Sequence, residues 1–478
     1  MTAPGSHGVL GLTPPPLRWT TLAPAVGLCG FALVGAGCPQ ALVQYPGADS
    51  GRSTGGEDGA EVLLVELAGW AVAGEAANEA VGGTAGLLLP GPSGPWGAVL
   101  VPSPGAEAGA GLVALHPLDA AGPRALRAGQ VLAGTPGAGL GAAVALLRAS
   151  EGAAQLAVGA PGESAVYLIT AEEGAPRLEV SQRLALQLGR AGSALAAADF
   201  DNDGLVDLAV GAPGDAEAPG WLGLHLGGQA TLSALPDLEL LGLEAGDQLG
   251  AGLAAADLTG DGVSDLLVCA PGYDAAENSV GACALLEGGA GFARPQGDLR
   301  ARAVGFFLGA QRGDRVGDGA AGLAVADLDG DQRAELVLGT PTSDDGAGAV
   351  AVFFGDRPPG LRTVADADAV LRGADGLGQA LALLPAHEGA PGRIIASAAT
   401  SGSVWLLPEL ARGSVDLEAL GLAPLASSAP SDRLGVTLGA AWAEGGALLL
   451  LGAPGVDAAG FASGELRAAP LADLQLGR

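Results

Sequence analysis

Apolar residues fall in short runs along this chain, broken by Gly, Pro and acidic residues, and the runs read as many short strands joined by turns. One pattern recurs. A small or Gly-containing step leads into an apolar strand, a loop follows, and a second strand ends in Gly-Ala-Pro or a variant of it. The clearest copies start at Leu195, Leu253 and Leu323 and end at Pro213, Pro271 and Pro341. Degenerate copies start at Val72, Val144, Leu381 and Leu438, so the seven anchors lie 72, 51, 58, 70, 58 and 57 residues apart. A period near 60 residues holds four short strands and their turns, which is one propeller blade. A single such sheet is too small to bury its own faces, so the units must pack radially. The expected fold is an all-β, seven-bladed β-propeller with four-stranded blades over residues 61–478. Ala-rich strands such as Leu195-Ala-Ala-Ala belong innermost, where sheets converge, and runs such as residues 205–210 come next, buried on both faces. Residues 61–67 (Glu-Val-Leu-Leu-Val-Glu-Leu) are strand-like and precede the first anchor. They are expected to supply the outer strand of the seventh blade, pairing the chain ends and removing an open edge.

Composition supports this picture. Gly (83) and Pro (32) are abundant among the 478 residues, yet 49% of residues are hydrophobic, which separates the chain from disordered sequences. Gly at this frequency disfavours long helices. The net charge is −30, from 52 acidic residues against 22 basic ones, all Arg. That balance offers no electrostatic footprint for nucleic acid or anionic lipid and suits metal cations or cationic partners.

The N-terminus reads as an export segment. Arg18 precedes an apolar run over residues 22–36 that ends Val34-Gly-Ala-Gly-Cys38. Small residues directly before Cys38 resemble a bacterial lipobox, which implies a lipoprotein-type signal peptide over 1–37, lipidation at Cys38 and an envelope location. Plain cleavage nearby is the alternative. Residues 38–60 read as a flexible tether. Cys269 and Cys283 lie in neighbouring strands of one hairpin, where a disulfide or two reduced buried thiols both fit.

Three loops carry oxygen ligands at alternate positions. In the first, Asp199, Asp201, Asp203 and Asp207 occupy positions 1, 3, 5 and 9, with the Leu205 carbonyl at 7. In the second these are Asp257, Thr259, Asp261 and Asp265, with the Val263 carbonyl. In the third they are Asp327, Asp329, Asp331 and Glu335, with the Arg333 carbonyl. Such alternation wraps one hard cation, and a flexible loop with five or more protein oxygens favours calcium over magnesium. An EF-hand would need flanking helices and a Glu at position 12, where this chain has Val210, Val268 or Leu338. Gln332 stands where the other two loops have Gly204 and Gly262, which makes the third site the weakest.

The series Asp-x-Asp-x-Asp-Gly-x-x-Asp followed by Leu-x-Val-Gly-Ala-Pro resembles the FG-GAP repeat of integrin α-chain propellers and their bacterial relatives. Leu mostly replaces the Phe, as in Leu140-Gly141, Leu249-Gly250, Leu377-Gly378 and Leu434-Gly435. The resemblance implies structural calcium between the first two strands of a blade and ligand recognition on the opposite face. The function expected is a non-catalytic surface-binding or scaffold protein, with an unknown protein or glycan partner and a monomeric state. A propeller-fold polysaccharide lyase or hydrolase is the alternative, although the four His (His7, His116, His225, His387) are scattered and no nucleophile motif appears. Arg312-Gly313-Asp314 reads as part of a repeat turn, parallel to Gly246-Asp247.

Overall fold

The computed structural model describes residues 31–33, 62–63, 70–73, 81 and, with short interruptions, 87–470. Its strands form seven sheets, and these are the blades of a β-propeller. Their first strands are, in order, Leu87–Gly91, Val144–Ser150, Ala194–Ala198, Gly252–Ala256, Leu323–Ala326, Leu381–Leu384 and Leu438–Ala443. Consecutive first strands lie side by side around the axis. Phe31–Leu33 pairs antiparallel with the first strand of blade 2.

Burial follows radial position. In blade 3, the inner strand Ala194–Ala198 and the next, Asp207–Ala212, are buried at every residue, whereas the outer strand Leu238–Leu241 alternates buried and exposed. That explains the small inner residues and the unbroken apolar second strands: one lies where sheets converge, the other is sandwiched on both faces. Apolar clusters fill the gaps between blades. Leu100 and Leu115 meet Val144 and Leu156, and Leu222 and Leu240 meet Leu253 and Val268. Val99 and Val101 of blade 1 meet Leu448, Leu450 and Leu466 of blade 7, so the ring is closed.

Closure is made by an N-terminal strand, but not by residues 61–67. Trp70–Ala73 pairs antiparallel with Glu465–Pro470 and is the fourth strand of blade 7. Val62–Leu63 instead lies parallel to Leu425–Ala426 on the rim of blade 6. Val72, expected to open the first blade, therefore lies in the last one, and the inner strand of the first is Leu87–Gly91. The cause is the missing Gly-Ala-Pro step in this unit, whose second strand Gly94–Ser103 ends in Val101-Pro102-Ser103.

The repeated glycines set the blade spacing. Gly192 and Gly435, which open blades 3 and 7, donate N–H groups to the carbonyls of Gly211 and Gly452 (3.0 and 2.8 Å), each in the second strand of the same blade. The Gly of the Gly-Ala-Pro step then packs against the next blade. A Cβ on Gly159 would sit 1.9 Å from the Gly192 carbonyl oxygen, one on Gly211 2.1 Å from that of Gly250, and one on Gly339 1.9 Å from that of Gly378. Blade 6 has Ser397 here, and its hydroxyl donates to the Gly435 carbonyl at 2.7 Å. Blade 4 has Cys269, which forms a disulfide with Cys283 on the adjacent strand. Replacing Gly211 with Ala is expected to force the two blades apart and cost about 1–3 kcal/mol, the range for overpacking a close contact. Urea denaturation checks this, and an unchanged midpoint would contradict the spacing role.

Connections between third and fourth strands fasten several blades to their predecessors. Leu361–Thr363 of blade 5 adds in parallel to Ala303–Leu308 of blade 4, and Gly413–Asp416 of blade 6 adds likewise to Ala369–Arg372. Gly122–Ala125 of blade 1 does the same to Trp70–Ala73. In blade 3 a side chain replaces the strand: the Gln182 amide of blade 2 exchanges two hydrogen bonds with the Leu232 backbone (3.1 and 3.2 Å). These straps cover edges that would otherwise expose unpaired backbone groups.

Candidate metal loops

The three acidic loops join the first and second strands of blades 3, 4 and 5, on one face of the ring. Their flanks are strands, so the EF-hand alternative is out. Each loop is folded by its own carboxylates. Asp199 accepts N–H groups from Asp203 and Gly204 (3.0 and 2.8 Å). Asp257 accepts from Gly260 and Gly262, and Asp327 from Gly330 and Gln332. The carboxylates of Asp203, Asp261 and Asp331 accept from the N–H of Leu205, Val263 and Arg333, each at 2.8–2.9 Å. Positions 4 and 6 need left-handed backbone, supplied by Asn202 and Gly204 (φ 61° and 87°), Gly260 and Gly262 (78° and 86°), and Gly330 and Gln332 (83° and 71°).

Gln332 therefore keeps the turn that its neighbours make with Gly, at the steric cost of a Cβ. Gln332→Gly is expected to stabilise the protein by about 1 kcal/mol, read as a rise in denaturation midpoint. A fall would mean that the Gln side chain contributes contacts of its own.

Two groups of carboxylates are close enough to share one ion. Oxygen atoms of Asp199, Asp201 and Asp203 lie within 4.8 Å of one another, as do those of Asp327, Asp329 and Glu335. Mutual repulsion adds to burial in raising the Asp201 and Asp329 carboxyls above their ordinary range. The second loop does not gather its carboxylates in this way. There Thr259 Oγ1, at position 3, is shielded from solvent and has no hydrogen-bond partner. An oxygen so placed, among acidic neighbours, fits a cation ligand.

The position-9 residues do something the sequence did not reveal. Asp207, Asp265 and Glu335 start their second strands and are fully buried. Asp207 accepts the N–H of Phe200 in its loop (2.9 Å) and that of Gly227 in the connection to the outer strand (2.7 Å). Asp265 accepts from Leu258, Thr259 and Gly288, and Glu335 from Leu328 and Gly355. Each thus ties the metal loop to the outer half of its blade. Burial pushes these carboxyls up to about 7, about 6 and about 7, against the pull of the backbone donors. Their repetition as an acid at one register was the available signal.

The Arg312-Gly313-Asp314 triplet is part of a turn. Asp314 is 1% exposed and accepts the N–H groups of Ala310 and Gln311 (2.7 and 2.8 Å). Asp247 does the same with Leu243 and Glu244. Cys38 lies outside the described residues.

Strand order and blade packing define a β-propeller, and three of its seven blades carry FG-GAP repeats. The FG-GAP repeat matches residues 191–223, 249–286 and 319–353, which lie in blades 3, 4 and 5. The rat phosphatidylinositol-glycan-specific phospholipase D is 36% identical over 143 residues, 25% of this chain and 17% of that protein. The Drosophila melanogaster integrin alpha-PS2 is 28% identical over 171 residues, 34% of this chain and 11% of that protein. The chain thus spans only a small part of the curated relatives it matches. Among solved structures, a Penicillium chrysogenum alpha-L-arabinanase complexed with arabinobiose overlaps 67% of this chain and 90% of its own, with a TM-score of 0.39 and 11% identity.

Proposed function

We propose that this chain is an exported, calcium-binding FG-GAP propeller that works as a non-catalytic surface-binding or scaffold protein. The observation that carries this reading is how the acidic groups of the loop face are used. The carboxylates at positions 1 and 9 are committed to backbone donors inside their own blades, which suits holding a fold around an ion better than proton transfer. Calcium is the cation of choice, because the loops offer oxygen ligands alone, in number, on a turn that can adjust. Where these residues hold the ion, Asp199, Asp201, Asp203, Asp327, Asp329, Glu335 and Thr259 are the side chains placed to do so.

The partner surface would be the opposite face. There the turns after the second strands expose Asp215, Glu217, Asp344 and Asp345, which suits a cationic or polar protein or glycan. Export agrees with the buried Cys269–Cys283 disulfide, since such bonds persist in oxidising compartments. Cleavage before Cys38 would remove Phe31–Leu33 from blade 2, and mass spectrometry of the mature N-terminus tests both cleavage and lipidation.

The functional experiment is a binding screen of purified chain on immobilised envelope proteins and glycans, with and without calcium. Saturable binding that Asp215→Asn/Glu217→Gln/Asp344→Asn weakens is the expected result. Turnover of a glycan, abolished by one Asp→Asn outside the three loops, would instead establish the lyase or hydrolase alternative.

A further inference from the structure

We infer that the three loops take up their ions cooperatively, with the second loop as the hub, because neighbouring loops share backbone hydrogen bonds at their ligand positions. The inference rests on the calcium reading above.

The link from loop 2 to loop 1 runs through two adjacent glycines. Gly288 donates its N–H to Asp265 at position 9 of loop 2 (2.9 Å). The next residue, Gly289, donates to the carbonyl of Phe200 (2.8 Å). Phe200 stands between the ligands Asp199 and Asp201, and its ring stacks on Phe292 at 5.4 Å, at the far end of the same strap. An ion that fixes Thr259, whose N–H the Asp265 carboxylate accepts at 2.9 Å, therefore steadies Asp265 and the strap, and the strap steadies the backbone between two ligands of loop 1.

The link from loop 2 to loop 3 is more direct. The carbonyl of Asp257, at position 1 of loop 2, accepts the N–H of Ala334 (3.0 Å). Ala334 lies between Arg333, whose carbonyl is at position 7 of loop 3, and Glu335 at position 9. The Arg333 side chain crosses back over loop 2: a methyl group on Gly260 would meet its Nε at 2.7 Å. The same side chain donates to the Gly355 carbonyl at 3.3 Å, beside the Gly355 N–H held by Glu335. Loop 2 thus contacts both neighbours through residues one place from a ligand, whereas among the described residues no hydrogen bond joins loops 1 and 3 directly.

Ordering a loop costs backbone entropy. An ion in loop 2 meets part of that cost for loops 1 and 3, because the hydrogen-bonded segments are shared. A second ion then binds a partly ordered site, which is positive coupling without a change of fold.

Calorimetric calcium titration of the full chain tests this. The expected wild-type result is uptake of three ions with a Hill coefficient above 1. Thr259→Val removes the shielded hydroxyl of loop 2 at nearly constant shape. It is expected to weaken the two remaining sites as well, by about fivefold or more, the lower range of such couplings. Arg333→Ala leaves every ligand oxygen in place, its own being a main-chain carbonyl. It should keep three ions per chain while lowering the Hill coefficient, and it serves if Thr259→Val fails to fold. Three independent sites, or remaining sites of unchanged affinity in Thr259→Val, would overturn the coupling while leaving calcium binding intact. No calcium uptake by the wild-type chain would overturn the calcium reading, and the coupling with it.

Discussion

Asp265→Ala is expected to lower the stability of the protein by about 3 kcal/mol, as three N–H donors, the buried one of Leu258 and the part-buried ones of Thr259 and Gly288, lose their acceptor at once. The residue lies at the start of a strand buried at every position, which limits how far solvent can replace the carboxylate. Asp265→Asn should be nearly as damaging. Its amide offers one acceptor oxygen where two are used, and its NH2 group would face a backbone donor. The measurement is urea denaturation in excess chelator, which separates the blade-tying role from any metal ligation. A loss below about 1 kcal/mol would mean that the three donors find other acceptors.

Removing calcium is expected to have an effect of comparable size, with a pH dependence that identifies its origin. Three loops each held at roughly ten times their dissociation constant would add about 4 kcal/mol through preferential binding to the native state. A chelator should therefore lower the melting temperature by several degrees. In the calcium-free protein, burial raises the Asp207, Asp265 and Glu335 carboxyls from 3.8, 3.8 and 4.5 to about 7, about 6 and about 7. Between these limits the native state holds more protons than the unfolded chain, so stability should fall as pH rises from about 4 to 7. The buried His225 runs the other way: burial lowers its pKa, so it contributes stability that is lost as pH falls through its unfolded value of 6.5. Three carboxylates outweigh one imidazole in this window. Calcium reverses the trend, since deprotonated loops bind it better. Melting curves at pH 5 and 8, with calcium and with chelator, check the sign. A calcium effect equal at both values would argue that the position-9 carboxylates stay unprotonated in the apo protein.

Much of this was legible along the chain, and the exceptions have physical causes. Alternating Asp residues at 199, 201 and 203 pointed to a loop that gathers its carboxylates, and their oxygens lie within 4.8 Å of one another. The recurrence of Gly-Ala-Pro gave the number of blades. The glycines' actual purpose, close approach of the Gly211 Cα to the Gly250 carbonyl, involves residues of different units and has no local signature. The closing strand was misplaced because Glu61–Leu67 and Trp70–Ala73 are both short and apolar, and partner choice is decided by strands almost four hundred residues away. That Asp207 also accepts the N–H groups of Phe200 and Gly227 was hidden, because spacing shows neither burial nor partners beyond the loop. Straps such as Leu361–Thr363 are hidden for the same reason, since their partner belongs to the preceding repeat.

The pairing of Trp70–Ala73 with Glu465–Pro470 has a consequence for biosynthesis. The early segment leaves the ribosome without its mate and must wait while about 390 further residues are made, roughly 20–80 s at ordinary elongation rates. Six blades can assemble behind it in that time, but the seventh cannot. A ribosome that stalls late, or a truncation before Glu465, would release a horseshoe with two sticky ends rather than a slightly shorter protein. Completion of the ring thus waits on the strand Glu465–Pro470, however early the other blades form.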